Sequence, residues 1–325
     1  MLKHLVLGLW VGTTSWMAMA DTDLSPAHLP AIMTSRADQA LLLSVAKAGQ
    51  RLVAVGAHGV ILLSDDQGRH WQQVHTPTSV MLTSVAFADE QHGWAVGHEG
   101  VIVATSDGGH SWALQHVAEG SDVHKGTPLL SVVTINAQTA VAVGAYGFVL
   151  RTDDGGKTWV NMDSSLPNPD NLHLNAITMS STNPQSLFVA GEKGQIFHSA
   201  DAGKTWTKLN SPTDASLFGV SDPVNGQLYV FGLGGGLFRS TDEGVSWTSI
   251  STGLSSGINA LVGTGNNEVV AVGNGGQVLI SYDAGLHFEV HPQADRLKLV
   301  DVLAMHQGQF LAVGEGGAHL LNLGH

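Results

Sequence analysis

The chain has 325 residues, no cysteine and a formal net charge of −13, with 14 lysines and arginines against 27 acidic residues. The absence of cysteine excludes a disulfide framework and a lipid-modified cysteine. So few basic residues leave little of the counterion-release attraction that drives binding to nucleic acid. We therefore expect no nucleic-acid partner and no docking on an anionic membrane surface.

The first twenty residues predict a secretory signal peptide. They carry a basic start at Lys3, an apolar stretch from Leu5 and a small-x-small ending at Ala18 and Ala20, which is the pattern of such signals. A membrane anchor is the alternative, although the apolar stretch is short and diluted with Thr and Ser. The sequence thus predicts cleavage after Ala20 and a periplasmic or secreted protein of residues 21–325, folded as one domain.

A short apolar run that ends in glycine recurs along the rest of the chain, followed by two variable residues and a second glycine, as in VAVGAHG. The motif occurs seven times, and its first glycine, which ends the apolar run, is Gly56, Gly97, Gly144, Gly191, Gly232, Gly273 and Gly314. We call each copy a hairpin and expect it to join two strands.

A box of the form Ser/Thr-x-Asp-x-Gly-x-x-aromatic follows the first six hairpins, and its closing aromatics are 41 or 47 residues apart. A fixed period of this size is typical of repeat proteins. In each box we expect the Asp to accept backbone N–H bonds, the Gly to supply a positive φ and the aromatic ring to pack inward. The residues to which we assign this structural role are Asp66, Asp107, Asp154, Asp201, Asp242, Asp283, Trp71, Trp112, Trp159, Trp206, Trp247 and Phe288.

Hairpin and box together give four short strands per unit, which is the composition of a propeller blade. Seven units share residues 21–325 at roughly 43 residues each, a usual blade length. The sequence predicts an all-β protein, a single seven-bladed β-propeller.

The seventh unit has no box after Gly314, so it lacks the residues for a fourth strand. We expect residues 29–37, LPAIMTSRA, to supply that strand, with residues 31–36 beside Leu320 and Leu321. Pro30 then stands at the start of an edge strand, where proline is tolerated.

The joint pattern of hairpin and box resembles the photosystem II stability/assembly factor-like propellers, a family of Asp-box or BNR repeats, over nearly all of residues 21–325. The resemblance implies a propeller that helps to assemble a membrane complex in photosynthetic organisms. In heterotrophic bacteria it implies an exported protein, often encoded beside transporters of the resistance-nodulation-division type. Photosynthetic members present an arginine-rich patch, whereas the six arginines of this chain are scattered over different units. This departure favours the heterotrophic bacterial branch.

Boxes of this kind also occur in sialidases and other glycosidases, so a glycoside hydrolase or a glycan-binding module is the alternative function. A sialidase-like site needs three converging arginines and a tyrosine nucleophile, and ordinary glycoside hydrolysis needs two opposed carboxylates. The chain has three tyrosines, and one of them, Tyr282, lies inside a box. We predict no catalytic residue and no cofactor.

The seventeen histidines show no metal-ligand spacing. Only His58, His98 and Glu99, on neighbouring hairpins, could approach one another. We expect them to be solvated surface groups and predict no metal site.

In a propeller of this strand order the hairpins and the links between blades emerge on the face opposite the boxes, which we call the variable face. The two longest links, residues 118–128 and 163–174, lie there, although they could also be tolerated insertions. Because long loops on a rigid scaffold usually carry binding, we predict that a monomer of this protein binds an envelope or membrane protein complex there. The expected contact residues are His58, His98, Glu99, His124, Lys125, Tyr146, Asp170, His173, Glu192, Lys193 and Glu315.

Overall fold

A computed structural model describes residues 24–224, 226–264, 267–305 and 308–321, so the predicted signal peptide lies outside the described residues. These residues form 27 strands in seven antiparallel sheets, with helical structure limited to three-residue 3-10 turns. Among them, no helix is long and apolar enough to cross a membrane. The fold is a seven-bladed β-propeller, as predicted.

The strands follow the chain from the centre of each blade to its rim, four to a blade in six blades and three in the last. Blades 1 to 3 contain β1 (Leu42–Ala48), β2 (Arg51–Gly56), β3 (Ile61–Ser64), β4 (Gln72–Gln73), β5 (Leu82–Phe87), β6 (Gly93–Gly97), β7 (Ile102–Thr105), β8 (Ala113–His116), β9 (Leu129–Thr134), β10 (Ala140–Gly144), β11 (Val149–Thr152) and β12 (Val160–Asn161). Blades 4 to 7 contain β13 (Leu174–Met179), β14 (Leu187–Gly191), β15 (Ile196–Ser199), β16 (Thr207–Lys208), β17 (Leu217–Val224), β18 (Gln227–Gly232), β19 (Leu237–Ser240), β20 (Thr248–Ser249), β21 (Ile258–Gly263), β22 (Val269–Gly273), β23 (Val278–Ser281), β24 (Glu289–Val290), β25 (Leu299–Ala304), β26 (Phe310–Gly314) and β27 (Gly317–Leu321).

The second strand of each blade lies between two neighbouring blades. In β10, Val141 and Val143 pack towards blade 4, whereas Ala140 and Ala142 pack towards blade 2. Because successive side chains of a strand point to opposite faces of the sheet, such a strand must be apolar at every position. The core is therefore a ring of layers between blades, and it holds the two faces in fixed positions.

Side chains of the inner strands tie neighbouring blades together near the axis. The Val85 N–H donates to Ser44 Oγ at 3.3 Å, and serines bond in the same way from blade 2 to blade 3 and from blade 3 to blade 4. Between blade 7 and blade 1, the Val45 N–H donates to Asp301 Oδ2 at 3.0 Å. Burial raises the pKa of Asp301. The Asp301 side chain thus links blade 7 to blade 1 near the axis.

The predicted closing strand at residues 29–37 is wrong, because this segment forms no strand and the described part of blade 7 has three strands. The Ala31 N–H donates to Thr76 O at 3.0 Å and the Thr34 N–H donates to Gln73 Oε1 at 2.9 Å. Gln73 Nε2 in turn donates to Ile32 O. The segment therefore forms its hydrogen bonds with blade 1 and does not pair with β27 as a strand.

Residues 37–41 close the ring in another way, in the position that a link between blades occupies, here between blade 7 and blade 1. In blade 4 the second hairpin glycine, Gly194, faces the following link so closely that a Cβ would lie 1.8 Å from Thr213 O. In blade 7 a Cβ on Gly317 would lie 1.9 Å from Asp38 O. Thr213 and Asp38 each stand four residues before the next inner strand, so the N-terminal segment takes the place of a link.

Candidate partner-binding face

The strand order places the boxes on one face and the hairpins and links on the other, as predicted. In blade 1, for example, Leu42 at the start of β1 pairs with Gly56 at the end of β2, whereas Ala48 pairs with Arg51. Each inner strand therefore starts on the variable face.

The boxes are closed by their own hydrogen bonds. In blade 4, Ser199 Oγ donates to Asp201 Oδ1 at 2.8 Å and the Gly203 N–H donates to Ser199 Oγ at 2.8 Å. The Thr205 N–H donates to Asp201 Oδ1 at 2.9 Å and its hydroxyl donates to Oδ2 at 2.7 Å. Both carboxylate oxygens are occupied by the turn itself.

The same pattern of bonds recurs in the other five boxes. Hydrogen bonds from the Ser246 hydroxyl and N–H, with Ser240, lower the pKa of Asp242 to about 2. Bonds from His287 likewise lower the pKa of Asp283. A carboxyl group with a lowered pKa stays ionised at neutral pH and has no proton to give, which argues against a role as a general acid.

The closing aromatics pack inward to different extents. Trp112 and Trp206 are buried, and Trp71, Trp159, Trp247 and Phe288 are half-buried. All six belong to the layers between blades.

The hairpins present side chains in an unusual backbone conformation. His58, Glu99, Tyr146 and Lys193 have φ values of 56°, 58°, 57° and 50°, in the left-handed region that costs a non-glycine residue about 1–2 kcal/mol. The equivalent positions of blades 5 and 6 are glycines. Backbone strain of this kind persists where the surrounding structure imposes it and is frequent at binding sites.

Two of these hairpins meet at one patch on blades 3 and 4. The rings of Tyr146 and His173 contact edge to face with centroids 4.7 Å apart. The backbone N–H of His173 donates to Glu192 Oε2 at 2.9 Å, and the ring nitrogen Nδ1 of His173 lies 3.9 Å from Glu192 Oε1. Lys193 is exposed beside Glu192, and its N–H donates to Ser216 Oγ at 3.4 Å. We call Tyr146, His173, Glu192 and Lys193 the tyrosine patch.

His124, one of the expected contact residues on the variable face, is buried between the two long links. Its ring stacks on Phe148 with centroids 4.0 Å apart, and its Nε2 bonds Asp163 Oδ2 at 2.5 Å. The histidine is buried and ties the two long links together. Lys125, in contrast, is exposed, and so is Asp170 on the second link.

The remaining predicted residues stay apart from the tyrosine patch. His58 and His98 are exposed, and Glu99 is half-buried while its carbonyl accepts the Ala118 N–H. Glu315 is exposed, and its Oε2 accepts the Lys298 N–H at 3.2 Å. In the part of the chain that is described, no group of three or more His, Asp or Glu residues is placed to hold a metal ion.

Two exposed apolar residues of the variable face were not among the expected contact residues. Leu233, at the tip of the blade 5 hairpin, is 57% exposed, and Val123, on the first long link, is 86% exposed. Leu233 follows the glycine of a hairpin, where the other copies have Ala, His, Asn or Glu. An apolar residue in that turn was the signal that could have found it.

The groups that a sialidase-like site requires do not come together in the described structure. Tyr229 is fully buried, its hydroxyl donates to Ala284 O, and burial raises its pKa. Arg51 pairs with Asp65 in blade 1 and Arg151 with Asp153 in blade 3. These arginines therefore serve separate blades.

The fold and its turns define the class of protein: a seven-bladed β-propeller with six self-closed boxes on one face and loops of variable length on the other. The family model described as "Photosynthesis system II assembly factor YCF48" matches residues 63–172 and 126–249. These matches together cover more than half of the chain. The chain belongs to this family.

Solved structures share the fold at low sequence identity. A structure described as YCF48 bound to D1 peptide is 20% identical, with a TM-score of 0.70, covering 90% of this chain and 98% of the other. YCF48 from Cyanidioschyzon merolae is 18% identical, with a TM-score of 0.67, covering 87% and 95%. Virginiamycin B lyase from Staphylococcus aureus is 14% identical, with a TM-score of 0.72, covering 89% and 96%. No sequence among the curated proteins matches the chain.

Proposed function

We propose that this protein is an exported, non-catalytic assembly or accessory factor that binds a segment of a membrane or envelope protein complex through its variable face. The tyrosine patch is the centre of that contact. A transporter of the resistance-nodulation-division type is the candidate partner, because the scattered arginines favour the heterotrophic bacterial branch of the family.

The observation that carries the proposal is the set of side chains held in the left-handed conformation at the hairpin tips. Glycine would fit the same backbone without strain, as it does in blades 5 and 6. The boxes hold Ala202 and Glu243 in the same conformation, so the feature specific to the tyrosine patch is an exposed aromatic ring beside an exposed lysine on rigid turns, at Tyr146 and Lys193. Tyr146 is 59% exposed, and an exposed tyrosine on a rigid turn is a typical anchor of protein interfaces.

Family membership and structural similarity support a polypeptide partner. The chain belongs to an assembly-factor family, and one structure with this fold is described as bound to a D1 peptide. The lyase neighbour shares the fold at 14% identity, and fold alone does not imply a common reaction. No arrangement in the described residues favours the hydrolase alternative, and we expect no turnover of a panel of glycoside substrates.

The test is capture of the native partner by the tagged mature protein from its own cell envelope, read by mass spectrometry. A variant with His98, Glu99, Tyr146 and Lys193 all changed to alanine should lose a membrane complex that the unchanged protein captures. Its melting curve should stay nearly the same, because exposed side chains carry little packing energy.

The matched control changes Arg69 and Lys157, exposed residues of two boxes, to alanine. This control should still capture the complex. Capture that survives the hairpin changes and is lost with the box changes would place the partner on the opposite face and contradict the proposal.

Export is tested separately by fractionating cells and sequencing the N-terminus of the mature protein. We expect a periplasmic or secreted protein that starts at Asp21. A full-length chain held in the inner membrane would show that the first twenty residues act as an anchor.

A further inference from the structure

Blade 7 differs from the other six blades at its rim. In the described residues its sheet ends at β27, whereas an outer strand pairs with the third strand in every other blade. In blade 6 that outer strand, β24, pairs through two residues, with Val290 opposite Leu279 and Glu289 opposite Ile280. Among the described residues, no strand pairs with the outer side of β27.

β27 also pairs with its neighbour in a different register. Val272 pairs with Val278 across a five-residue turn in blade 6, whereas Gly314 pairs with Gly317 across a two-residue turn in blade 7. The strand is thereby shifted by one residue, and such a shift turns every side chain to the other face of a sheet. Leu321 accordingly packs towards blade 6.

The register shift changes which side chain is exposed at the outer edge of β27. The sequence equivalent of Leu320 in blade 6 is Leu279, which is 0% exposed, whereas Leu320 is 44% exposed. Gly314 and Gly317 flank the two-residue turn, and residues in that position form a hydrogen-bonded pair. Hydrogen-bonded and non-hydrogen-bonded pairs alternate along antiparallel strands, so Ala318 and Leu320 belong to non-hydrogen-bonded pairs. The N–H and C=O groups of Ala318 and Leu320 therefore point away from β26, towards the open edge.

A groove marks the blade 1 side of the same rim. In blades 3 and 5 the box tryptophan bonds the outer strand of the preceding blade or the residues just after it: Trp159 Nε1 donates to Gln115 Oε1 at 3.3 Å and Trp247 Nε1 donates to Asn210 O at 3.0 Å. The equivalent in blade 1, Trp71, borders a groove of 480 Å³. Trp71 and Ala318 pack against the same cluster of apolar residues between blades 7 and 1.

We propose that the edge of β27 binds an extended segment of a partner polypeptide, which completes blade 7 as its fourth strand. Exposed strand edges readily pair with another chain, and addition of a strand to a sheet edge is a common mode of peptide recognition. The inference rests on the proposed function, because it assumes a polypeptide partner. It adds a second contact, at the rim, to the tyrosine patch.

The backbone groups, the exposed leucine and the charge at the edge of β27 indicate which kind of peptide segment would bind there. Ala318 and Leu320, at alternate positions, offer outward backbone groups to a short strand such as the two-residue outer strands of most other blades. An apolar side chain of the segment would cover Leu320. Of the residues that line the groove at Trp71, only Asp38 carries a charge, and the chain as a whole has a net charge of −13. Lysine or arginine beside the apolar residue is therefore favoured.

Other occupants fit the structure less well. Residues 31–34 of the chain itself already bond Gln73 and Thr76 of blade 1. A second copy has no free strand to donate from its described residues, because each of its strands pairs within its own blade.

The probe for the test is a synthetic peptide, KKSWALQHVAKK, which flanks residues 111–118 with lysines and so copies the outer strand β8 of blade 2. The matched control, KKSWAPQPVAKK, replaces two residues by proline and removes two backbone donors. Amide exchange is followed by NMR on the ¹⁵N-labelled mature protein. The first peptide should slow exchange at Ala318 and Leu320, and the proline peptide should leave it unchanged.

Protein variants then test the site. Ala318→Pro removes an outward N–H while keeping the bonds between β26 and β27, and it should weaken peptide binding by about tenfold or more. Leu320→Lys should weaken binding similarly by removing the apolar contact and repelling the basic peptide, and it keeps the test valid if the proline variant fails to fold. Leu233→Ala, a change of an exposed apolar residue elsewhere, should leave binding unchanged.

Three results would overturn the inference. The amides of Ala318 and Leu320 could be protected in the free monomer, which would assign the edge to the chain itself. Sedimentation could show a dimer that Leu320→Lys dissociates, which would assign it to a second copy. Peptide binding could also be absent or be unaffected by Ala318→Pro and Leu320→Lys. Each of these would leave the proposed function standing if the tyrosine patch still captures the native partner.

Discussion

The boxes and the hairpins lie on opposite faces of the propeller and share one backbone device. Each has two consecutive residues in the left-handed region, the second of them glycine, as at Ala202 and Gly203 in the box of blade 4 and at Lys193 and Gly194 in its hairpin. The box is held by hydrogen bonds among its own residues. The hairpin is closed by backbone hydrogen bonds, from the Gly191 N–H to Gln195 O and from the Gln195 N–H to Glu192 O, and the link that follows its blade packs against its second glycine.

The difference explains why binding is expected on one face only. In a box the polar side chains already form hydrogen bonds within the turn, so few of them are free to bond a partner. In a hairpin the backbone of the link fixes the glycine, and the tip residue before it points to solvent. A turn closed by backbone bonds and packed against a link therefore leaves its tip side chain free to vary.

The largest effect is expected where a hairpin meets its link. Gly194→Ala combines a left-handed φ of 69° with a Cβ that would lie 1.8 Å from Thr213 O. We expect the free energy of unfolding to fall by about 2–5 kcal/mol, from backbone strain and overpacking together. Chemical denaturation measures the loss.

The control is Gly275→Ala, which has a φ of 70° and nothing within 4 Å of the added Cβ. It should change the free energy of unfolding by less than about 0.5 kcal/mol, because the left-handed strain of alanine and the reduced entropy of the unfolded chain are of similar size and opposite sign. Equal losses at the two glycines would show that the link does not hold the hairpin.

A smaller loss is expected in a box. Asp201→Ala removes the acceptor of bonds from Ser199 and Thr205 and should lower the free energy of unfolding by about 1–2 kcal/mol. Asp170→Ala, at an exposed link residue, should change it by less than about 0.5 kcal/mol. An Asp201→Ala protein with unchanged stability but lost partner binding would contradict the structural role of the box.

The boxes should also make the fold sensitive to acid. A carboxyl group whose pKa is lower in the folded than in the unfolded state stabilises the fold above its unfolded pKa, and this stabilisation is lost as the pH falls through the folded value. For Asp242, with a folded pKa of about 2, the loss occurs between about pH 4 and pH 2.

Denaturation at a series of pH values should therefore show a shallower acid dependence for Asp242→Asn than for the unchanged protein. Asp301 acts with the opposite sign, because its pKa is raised in the folded state and its protonation favours folding. Asp301→Asn should accordingly not reduce the acid dependence, and a reduction there would contradict this assignment.

The smallest effect is expected at the tip of a hairpin. Tyr146→Gly relieves the left-handed strain but increases the entropy of the unfolded chain. The two effects are of similar size, so we expect a change in the free energy of unfolding of less than about 0.5 kcal/mol. A loss above about 2 kcal/mol, measured by thermal and chemical denaturation, would show that Tyr146 holds the fold and is not a free contact residue.

The amino-acid sequence by itself determined the seven blades, the boxes and the two faces. Strand alternation, turn glycines and the Asp-centred bonds act over a few residues, so each repeat carries the information for its own blade. Asp201 and Gly203, for example, close their turn without help from another blade.

Only the tertiary structure decided how the ring closes and which side chains meet on the variable face. Residues 29–37 have the apolar pattern of an edge strand, but Gln73 of blade 1 binds their backbone. β27 repeats the sequence of the other third strands, but its two-residue turn shifts it by one position. His124 is buried because it reaches both Phe148 and Asp163. In each case, groups that are distant in the chain compete to bond or pack against the same segment. A local sequence pattern does not show which of these contacts is the more favourable.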